Sequence, residues 1–270
     1  MIQTSQEVAA PSSSIISPRS RVSLWILLSV VSVAIVLHLW GIKRNLPFLP
    51  EADERAFVAR AARIAASGDL NPGWFGHPGS TVIYPLAAVY YIWDGLFHRG
   101  SLVPSDPTQQ AKFDPVPSEF FLIGRLLTIL YEILSLPLIY LIGRRIFSER
   151  VGLIASWLSL LSPFAVDYAK TVRSDSAAVF FGLLAFWLCL RVYDRPSKRN
   201  QVAAGIAIGM AIATRYFMIA LIPVLLAVNV MRFRQKTSRH EKSNSIWIGR
   251  GRRFNSDWHS FRGNYAVLPA

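Results

Sequence analysis

"VSLWILLSVVSVAIVLHLWG", residues 22–41, is the stretch that decides what kind of fold this chain can have. It is mostly apolar and has about the twenty residues that an α-helix needs to cross roughly 30 Å of hydrocarbon. A cleaved signal peptide is the alternative, but its apolar region is about half as long and precedes a small-residue cleavage site. The stretch therefore predicts an uncleaved membrane-spanning helix.

The composition of the whole chain supports a membrane protein. Of its 270 residues, 52% are hydrophobic, more than one water-soluble core needs. Further apolar runs show no sustained period-two alternation, so all are predicted as helices; they lie at 81–97, 120–142, 151–167, 177–190 and 202–230. We expect an all-α polytopic membrane protein of about six transmembrane helices, with amphipathic and re-entrant helices in the outer leaflet.

Charge and cysteine content exclude two other classes of protein. The formal charge is +13, but Lys and Arg cluster at the ends of apolar runs, as in the cytoplasmic flanks of membrane helices. A nucleic-acid partner is therefore not expected, and the lipid bilayer is. The single cysteine, Cys189, lies inside an apolar run, which excludes a disulfide framework and a Cys-based metal site. We expect no cofactor, and use of a divalent metal stays open.

The distribution of Lys and Arg predicts which side each loop faces. Arg19 and Arg21 precede the first span, so the N-terminus is predicted to be cytoplasmic and segment 42–80 to be outside. If 81–97 crossed fully, the basic loops 143–150 and 191–201 would both lie outside. That placement conflicts with the positive-inside tendency.

Partial insertion of 81–97 into the outer leaflet removes that conflict. Pro85 and Asp94 within this segment suit a helix that faces protein or water. The same rule divides 202–230 into two passes, with Arg215 at the outer turn. Residues 1–20 are then a disordered cytoplasmic tail, and 21–230 form a transmembrane module whose main outer loop is 42–118.

With this topology the outer side collects carboxylates and cations. They are Asp53, Glu54, His77, Lys170, Arg173, Asp175 and Arg215. Cations at a bilayer surface suit a phosphate-bearing lipid substrate, and a carboxylate can take a proton from an incoming hydroxyl. Asp53 also begins an amphipathic helix that is predicted to lie along the membrane surface, with an apolar stripe of Phe57, Ala61, Ile64 and Ala65.

Each of these groups also has a structural interpretation. Asp53 and Glu54 can cap their helix and favour the positive end of its dipole. His77 can be an ordinary solvated loop residue, and Arg173 with Asp175 can be a local ion pair. The residues alone leave these alternatives open.

An ordered set of motifs carries a resemblance to a known family. The motifs are "LPEADE", "SGDLNP", "HPG", "GRLLTIL", "YLIGRRIF", "LLSPFAVDYAKTVRSDS" and "GMAIATRYF". In this order, over roughly residues 20 to 230, the chain resembles the protein O-mannosyltransferases and the bacterial aminoarabinose lipid A transferases. These families belong to the glycosyltransferase C superfamily.

The resemblance implies an activity and roles for the outer residues. It implies an inverting transfer of a sugar from a polyprenyl-phosphate donor to a hydroxyl-bearing acceptor, at the outer face of a bacterial cytoplasmic membrane. Asp53 takes the place of the catalytic base, with Glu54 beside it, and Asp175 matches a second outer acidic site. A donor-phosphate set follows: His77, Lys170, Arg173 and Arg215. The family's usual residue after "GMAIAT" is Lys, and here it is Arg215.

The C-terminal segment 231–270 departs from this pattern. It carries nine Lys or Arg against two acidic residues and has neither helical period nor membrane run. One interpretation is a basic disordered cytoplasmic tail. The other is a frameshifted or truncated end, because one choice of codons for "FRGNYAVLP", read one base later, encodes "FAATTPYFL". In the second case we expect the chain not to transfer sugar by itself. The alternative function is a non-enzymatic membrane scaffold or a transporter fragment.

Overall fold

The computed structural model describes residues 18–46, 51–75, 78–98 and 117–235, and in them the regular secondary structure is entirely helical. A π-helical turn, Asp94–His98, follows the third helix, and a 3₁₀ turn, Tyr216–Ala220, leads into the last. In chain order the helices are α1 (Pro18–Leu39), α2 (Ala52–Ser67), α3 (Ser80–Trp93), α4 (Ser118–Ile146), α5 (Glu149–Leu160), α6 (Pro163–Ala169), α7 (Ser174–Asp194), α8 (Lys198–Thr214) and α9 (221–235). The predicted all-α class is confirmed.

Several of these helices can span a membrane by length and composition. Within the described residues four segments qualify, and α5 with α6, bent by 61°, makes a fifth if the pair is one span. The four are Arg21–Leu39, Ser118–Ile146, Ser174–Asp194 and Tyr216–Gln235. Helix α8, with 17 residues, is slightly shorter. The chain is an integral membrane protein.

Helices α4 and α7 run in the same direction and define two ends of the bundle. At one end Arg125 of α4 lies beside Glu54 of α2, and at the other Arg145 of α4 pairs with Asp194 of α7. Arg145 stands twenty positions after Arg125 in the chain; at 1.5 Å per residue this is about 30 Å, close to the thickness of the hydrocarbon core. We call the two ends the Asp53 end and the Arg145 end.

Helices α8 and α9 connect these two ends as an antiparallel pair. At the Asp53 end, the hydroxyls of Thr81 and Thr214 are hydrogen-bonded at 2.6 Å. At the Arg145 end, Gln201 of α8 donates to Asn229 of α9 at 3.2 Å. This geometry agrees with the expected two passes of 202–230, with Arg215 at the turn between them.

Helix α3 follows only the first half of α4. Its beginning is tied to Tyr131, whose hydroxyl donates to the Thr81 carbonyl at 2.6 Å. Near its other end the Tyr90 hydroxyl donates to the Phe120 carbonyl at 2.7 Å. Because α3 does not reach the Arg145 end, it agrees with the expected partial insertion of 81–97. Asp94, directly after α3, is buried.

Two boundaries differ from the sequence prediction because of proline. The apolar run 151–167 is two helices bent by 61°, since Pro163 begins α6 and has no N–H to continue α5. Helix α1 begins at Pro18, inside the tail expected over 1–20, because proline is well tolerated in the first turn of a helix. His77, residues 1–17, parts of the loop 42–118 and residues 236–270 of the tail lie outside the described residues.

Glycines allow α4 and α5 to touch backbone to backbone. A Cβ atom on Gly143 would lie 2.7 Å from the Cα of Gly152, and one on Gly152 would lie 2.6 Å from the Tyr140 carbonyl oxygen. Small residues permit such close approach between membrane helices, where dispersion contacts replace a hydrophobic driving force. Ser148 fixes the start of α5, because its side-chain oxygen accepts from the Val151 N–H.

Candidate functional site

Helix α2 directs its two acidic residues to different surroundings. Successive residues on a helix point about 100° apart, at 3.6 residues per turn. The side chain of Glu54 turns toward the bundle and is 1% exposed, whereas that of Asp53 is 57% exposed. The predicted apolar stripe accounts for this orientation, because Phe57, Ala61 and Ile64 are all buried in the core.

Glu54 forms a buried ion pair with Arg125 of α4. Arg125 donates through Nε and Nη2 to the two carboxylate oxygens of Glu54, both at 2.8 Å. The Arg125 side chain is 5% exposed. Its Nη1 donates to the carbonyls of Ile42 and Arg44, and the Val172 N–H donates to Glu54 at 3.1 Å. One ion pair therefore joins α2, α4, the segment after α1 and the segment before α7.

This arrangement gives Glu54 a structural role. Its oxygens are buried and bonded to an arginine and a backbone N–H, and the pair it forms with Arg125 lines one wall of a polar pocket. The catalytic position expected for Glu54 stays a prediction. Arg125 was not among the predicted site residues. The available signal was an arginine inside the apolar run 120–142, because an ionisable residue within a span almost always has a buried partner.

Asp53 lies in a second, more open cluster of charges. Arg173, at the start of α7, has its Nη2 at 3.3 Å from Asp53 and its Nε at 3.0 Å from Asp175. Arg215, between α8 and the 3₁₀ turn, has its Nη2 at 2.8 Å from Asp175 and donates through Nε to Ser174 at 3.0 Å. Four of the predicted site residues, from three separate segments, thus form one chain of ion pairs.

Arg173 is the centre of this chain. Its Nη1 also lies 3.7 Å from Glu51, and its guanidinium stands 5.0 Å from the centre of the Tyr168 ring. Burial acts to lower the pKa of Arg173, but the carboxylates of Asp175 and Asp53 outweigh it, and its pKa lies above the ordinary value. The expected local ion pair with Asp175 is present, and Arg173 extends it to α2.

Lys170 lies beside this chain, in a polar pocket of the Asp53 end. Glu51 lines the pocket together with Lys170, Arg44, Asp167 and Thr171. Among the residues that the structure describes, Lys170 makes no ion pair, although Arg44 and Asp167 pair at 3.5 Å. Because Glu51 also contacts Arg173, the pocket adjoins the Asp53 cluster. His77 lies outside the described residues, so its predicted phosphate contact stays a prediction.

The structure agrees with one part of the helix-capping interpretation of Asp53 and Glu54, their favourable charge at the helix start, but neither residue is the N-cap. The N-cap of α2 is Glu51, which makes no side-chain capping hydrogen bond. Asp53 and Glu54 stand in the first turn, where their charges favour the helix dipole. Within the described part of the chain, no group of three His, Cys, Asp or Glu side chains has the arrangement of a metal site.

The bundle and its charge cluster define the class of this protein as a polytopic, all-α membrane protein with acids and cations gathered at one end. Residues 121–249 match the sequence model of a family described as dolichyl-phosphate-mannose-protein mannosyltransferase. The chain is therefore similar to a family of membrane glycosyltransferases over that range, and the predicted resemblance is confirmed. No curated protein matches the chain.

The matched range contains Arg125, Arg173, Asp175 and Arg215 but begins after α2. Asp53 is therefore connected to the matched part by the fold, through its 3.3 Å contact with Arg173.

Proposed function

We propose that this protein binds a polyprenyl-phosphate sugar at the Asp53 end of its bundle and transfers the sugar to a hydroxyl-bearing acceptor. One observation carries the proposal: Asp53, Arg173, Asp175 and Arg215 form a single chain of ion pairs beside the ends of membrane-spanning helices. The similarity to a mannosyltransferase family supports the transferase chemistry and makes mannose the first sugar to test.

In this proposal the cations hold the donor phosphate. Arg173 and Arg215 each present a planar set of N–H donors that fits phosphate oxygens in a bidentate manner. Lys170, in the adjoining pocket, supplies a further positive charge. The leaving phosphate is a stable anion, so cations that stabilise it replace a general acid.

Asp53 is the proposed general base, because it is more exposed than Asp175 and lies closer to Arg173 than Glu51 does. An inverting transfer requires one carboxylate to deprotonate the acceptor on the face opposite the leaving group. Glu54 has a different role: its ion pair with Arg125 fixes the first turn of α2 and so positions Asp53.

Sharing of Arg173 couples donor binding to activation of the base. A carboxylate oxygen of Asp53 that contacts the guanidinium is occupied and offers fewer lone pairs to an acceptor hydroxyl. Donor phosphate competes for the Arg173 guanidinium with Asp53, whose contact of 3.3 Å is longer than the 3.0 Å contact with Asp175. Phosphate binding is therefore proposed to release Asp53 before Asp175, together with Glu51, whose contact with Arg173 is longer still at 3.7 Å.

The orientation of the proposed site follows from the basic loops. Loops 143–150 and 191–201 share the Arg145 end, where Arg145 contacts Asp194. The positive-inside tendency places that end in the cytoplasm and the Asp53 end outside. The membrane is proposed to be a bacterial cytoplasmic membrane, with the N-terminus inside.

Donor binding tests the proposal without the need for turnover. The probe is a short-chain polyprenyl-phosphate mannose, titrated against the purified full chain in nanodiscs. Arg173→Ala is expected to weaken binding about ten- to hundredfold, the typical effect of losing a charge-assisted partner of phosphate. Arg145→Ala is the matched control, because Arg145 also pairs with an aspartate but at the opposite end. Unchanged affinity in Arg173→Ala, together with a lower yield of folded protein, would show that Arg173 is only a structural partner of Asp175.

A further inference from the structure

The Arg145 end of the bundle has a cavity of its own. It measures about 300 Å³ and opens between α4 and α7. A water molecule occupies roughly 30 Å³ of liquid, so the cavity admits a group larger than a single ion. It lies at the other end of α4 and α7 from Asp53 and takes no part in the proposed transfer.

Two different surfaces line this cavity. The apolar part consists of Leu141, Trp187 and Leu190, all half-buried between the two helices. The polar part consists of Arg144, Arg145, Arg191 and Asp194. A phospholipid has two matching parts: an acyl chain that suits the apolar side chains and an anionic headgroup that suits the arginines.

The charges of the polar part do not cancel. Arg145 is bound to Asp194, with its Nε donating to Oδ2 at 2.8 Å, so this pair is neutral. Arg144 and Arg191 remain outside this pair. Among the described residues neither has a carboxylate at ion-pair distance, although Glu149 is near enough to Arg144 for a coulombic interaction. The polar part of the cavity therefore carries a net positive charge at a bilayer boundary.

Arginines at the ends of membrane helices often only face water or lipid headgroups and set the topology. Here each of the two arginines contacts an aromatic residue beside the cavity, Arg191 through a ring and Arg144 through a hydroxyl. The Arg191 guanidinium lies 4.9 Å from the centre of the Trp187 ring, and Arg144 lies 3.5 Å from the Tyr140 hydroxyl. Such contacts reduce the number of rotamers each arginine samples and leave most of its N–H donors free for an anion.

We propose that this cavity binds an anionic phospholipid. The headgroup phosphate lies between Arg144 and Arg191, and the part of an acyl chain nearest the headgroup lies against Leu141 and Leu190. A phosphate diester carries one negative charge shared by two oxygens, which two guanidinium groups can bind between them, and the apolar residues of the cavity lie beside the acyl-chain region. A zwitterionic phospholipid is a weaker ligand, because its ammonium group meets the same two arginines.

Native mass spectrometry of the purified full chain tests the proposal. Delipidated protein is titrated with phosphatidylglycerol and, separately, with phosphatidylcholine. Wild type is expected to retain phosphatidylglycerol in preference, and Arg144→Gln/Arg191→Gln to lose that retention by about tenfold or more. The matched control is Arg150→Gln/Arg199→Gln, which removes two exposed charges from the same end without touching the cavity.

Three results would overturn the proposal. They are equal loss of retention in both double variants, equal retention of phosphatidylcholine by wild type, and displacement of the lipid by soluble glycerol phosphate at similar concentration. If the cavity variant does not fold, the single variants Arg144→Gln and Arg191→Lys are used. Arg191→Lys keeps the charge but loses the planar set of donors, and an intermediate retention is expected from it.

Discussion

The ion pair between Glu54 and Arg125 gives the most direct test of how the site is held. Glu54→Gln removes one charge from a pair whose side chains are 1% and 5% exposed. The Gln amide has one accepting oxygen and one NH2 group that only donates, so at least one of the two 2.8 Å hydrogen bonds from Arg125 is lost. If the NH2 group takes the place of Oε1, the bond from the Val172 N–H is lost as well. Arg125 then remains buried with no neutralising partner in its pair.

The expected effect on stability is large. Breaking a buried ion pair by removing one partner typically costs about 3 to 5 kcal/mol, out of a total of about 5 to 15 kcal/mol for a folded domain. For a chain of this size 1 kcal/mol shifts the unfolding midpoint by roughly 2 to 4 °C, so Glu54→Gln should lower it by roughly 6 to 20 °C.

Thermal unfolding of the purified chain in detergent, followed by size-exclusion fluorescence, measures this shift. Asp53→Asn is the matched control, because it is the same chemical change at the adjacent position and its side chain is 57% exposed. Glu54→Gln/Arg125→Met should recover part of the lost stability, since the double variant leaves no unpaired charge in the core.

Two outcomes would refute the reasoning. If Glu54→Gln unfolds at the same temperature as Asp53→Asn, Glu54 is not a structural residue and its expected catalytic role returns. If the double variant with Arg125→Met is less stable than Glu54→Gln alone, the loss does not come from a buried unpaired charge.

Three further predictions concern catalysis, topology and packing. In a transfer assay with short-chain polyprenyl-phosphate mannose, Asp53→Asn should lower the rate about 100-fold or more while the folded yield is kept; an unchanged rate would leave Asp53 only a structural partner. Phe147→Cys, in a Cys189→Ser background, should react with an impermeant maleimide only from the cytoplasmic side, and labelling from outside alone would reverse the proposed orientation. Gly152→Ala places a Cβ 2.6 Å from a backbone oxygen of α4 and should destabilise by about 1 to 3 kcal/mol. Gly205→Ala, with open space around it, should not, and equal unfolding midpoints for the two variants would contradict the contact between α4 and α5.

Much of the fold could be predicted because hydrocarbon imposes simple rules on a sequence. The apolar runs predicted α4, α7, α8 and α9 to within a few residues, since a buried backbone in lipid has to be helical over a span of fixed length. The positions of basic residues predicted that 143–150 and 191–201 share one end. The bend at Pro163 was missed, because apolar composition alone does not separate one continuous helix from two bent ones.

The candidate site was predictable in part. Asp53, Arg173, Asp175 and Arg215 were singled out from charge type and expected side, and the structure joins them by contacts of 2.8 to 3.3 Å. The charged groups near one membrane face can be predicted from the sequence. The distances among residues from different segments cannot, because they depend on how the helices pack.

By itself the sequence determined that this is a helical membrane protein with acids and cations at one face. Only the tertiary structure decided which carboxylate of the pair Asp53 and Glu54 is buried in an ion pair and which is exposed. The two residues are adjacent and chemically alike, and they differ only in the direction that one residue of helical rotation gives them. Packing of Phe57 and its stripe fixes that rotation, which places Glu54 against Arg125, 71 residues further along the chain, and leaves Asp53 exposed beside Arg173.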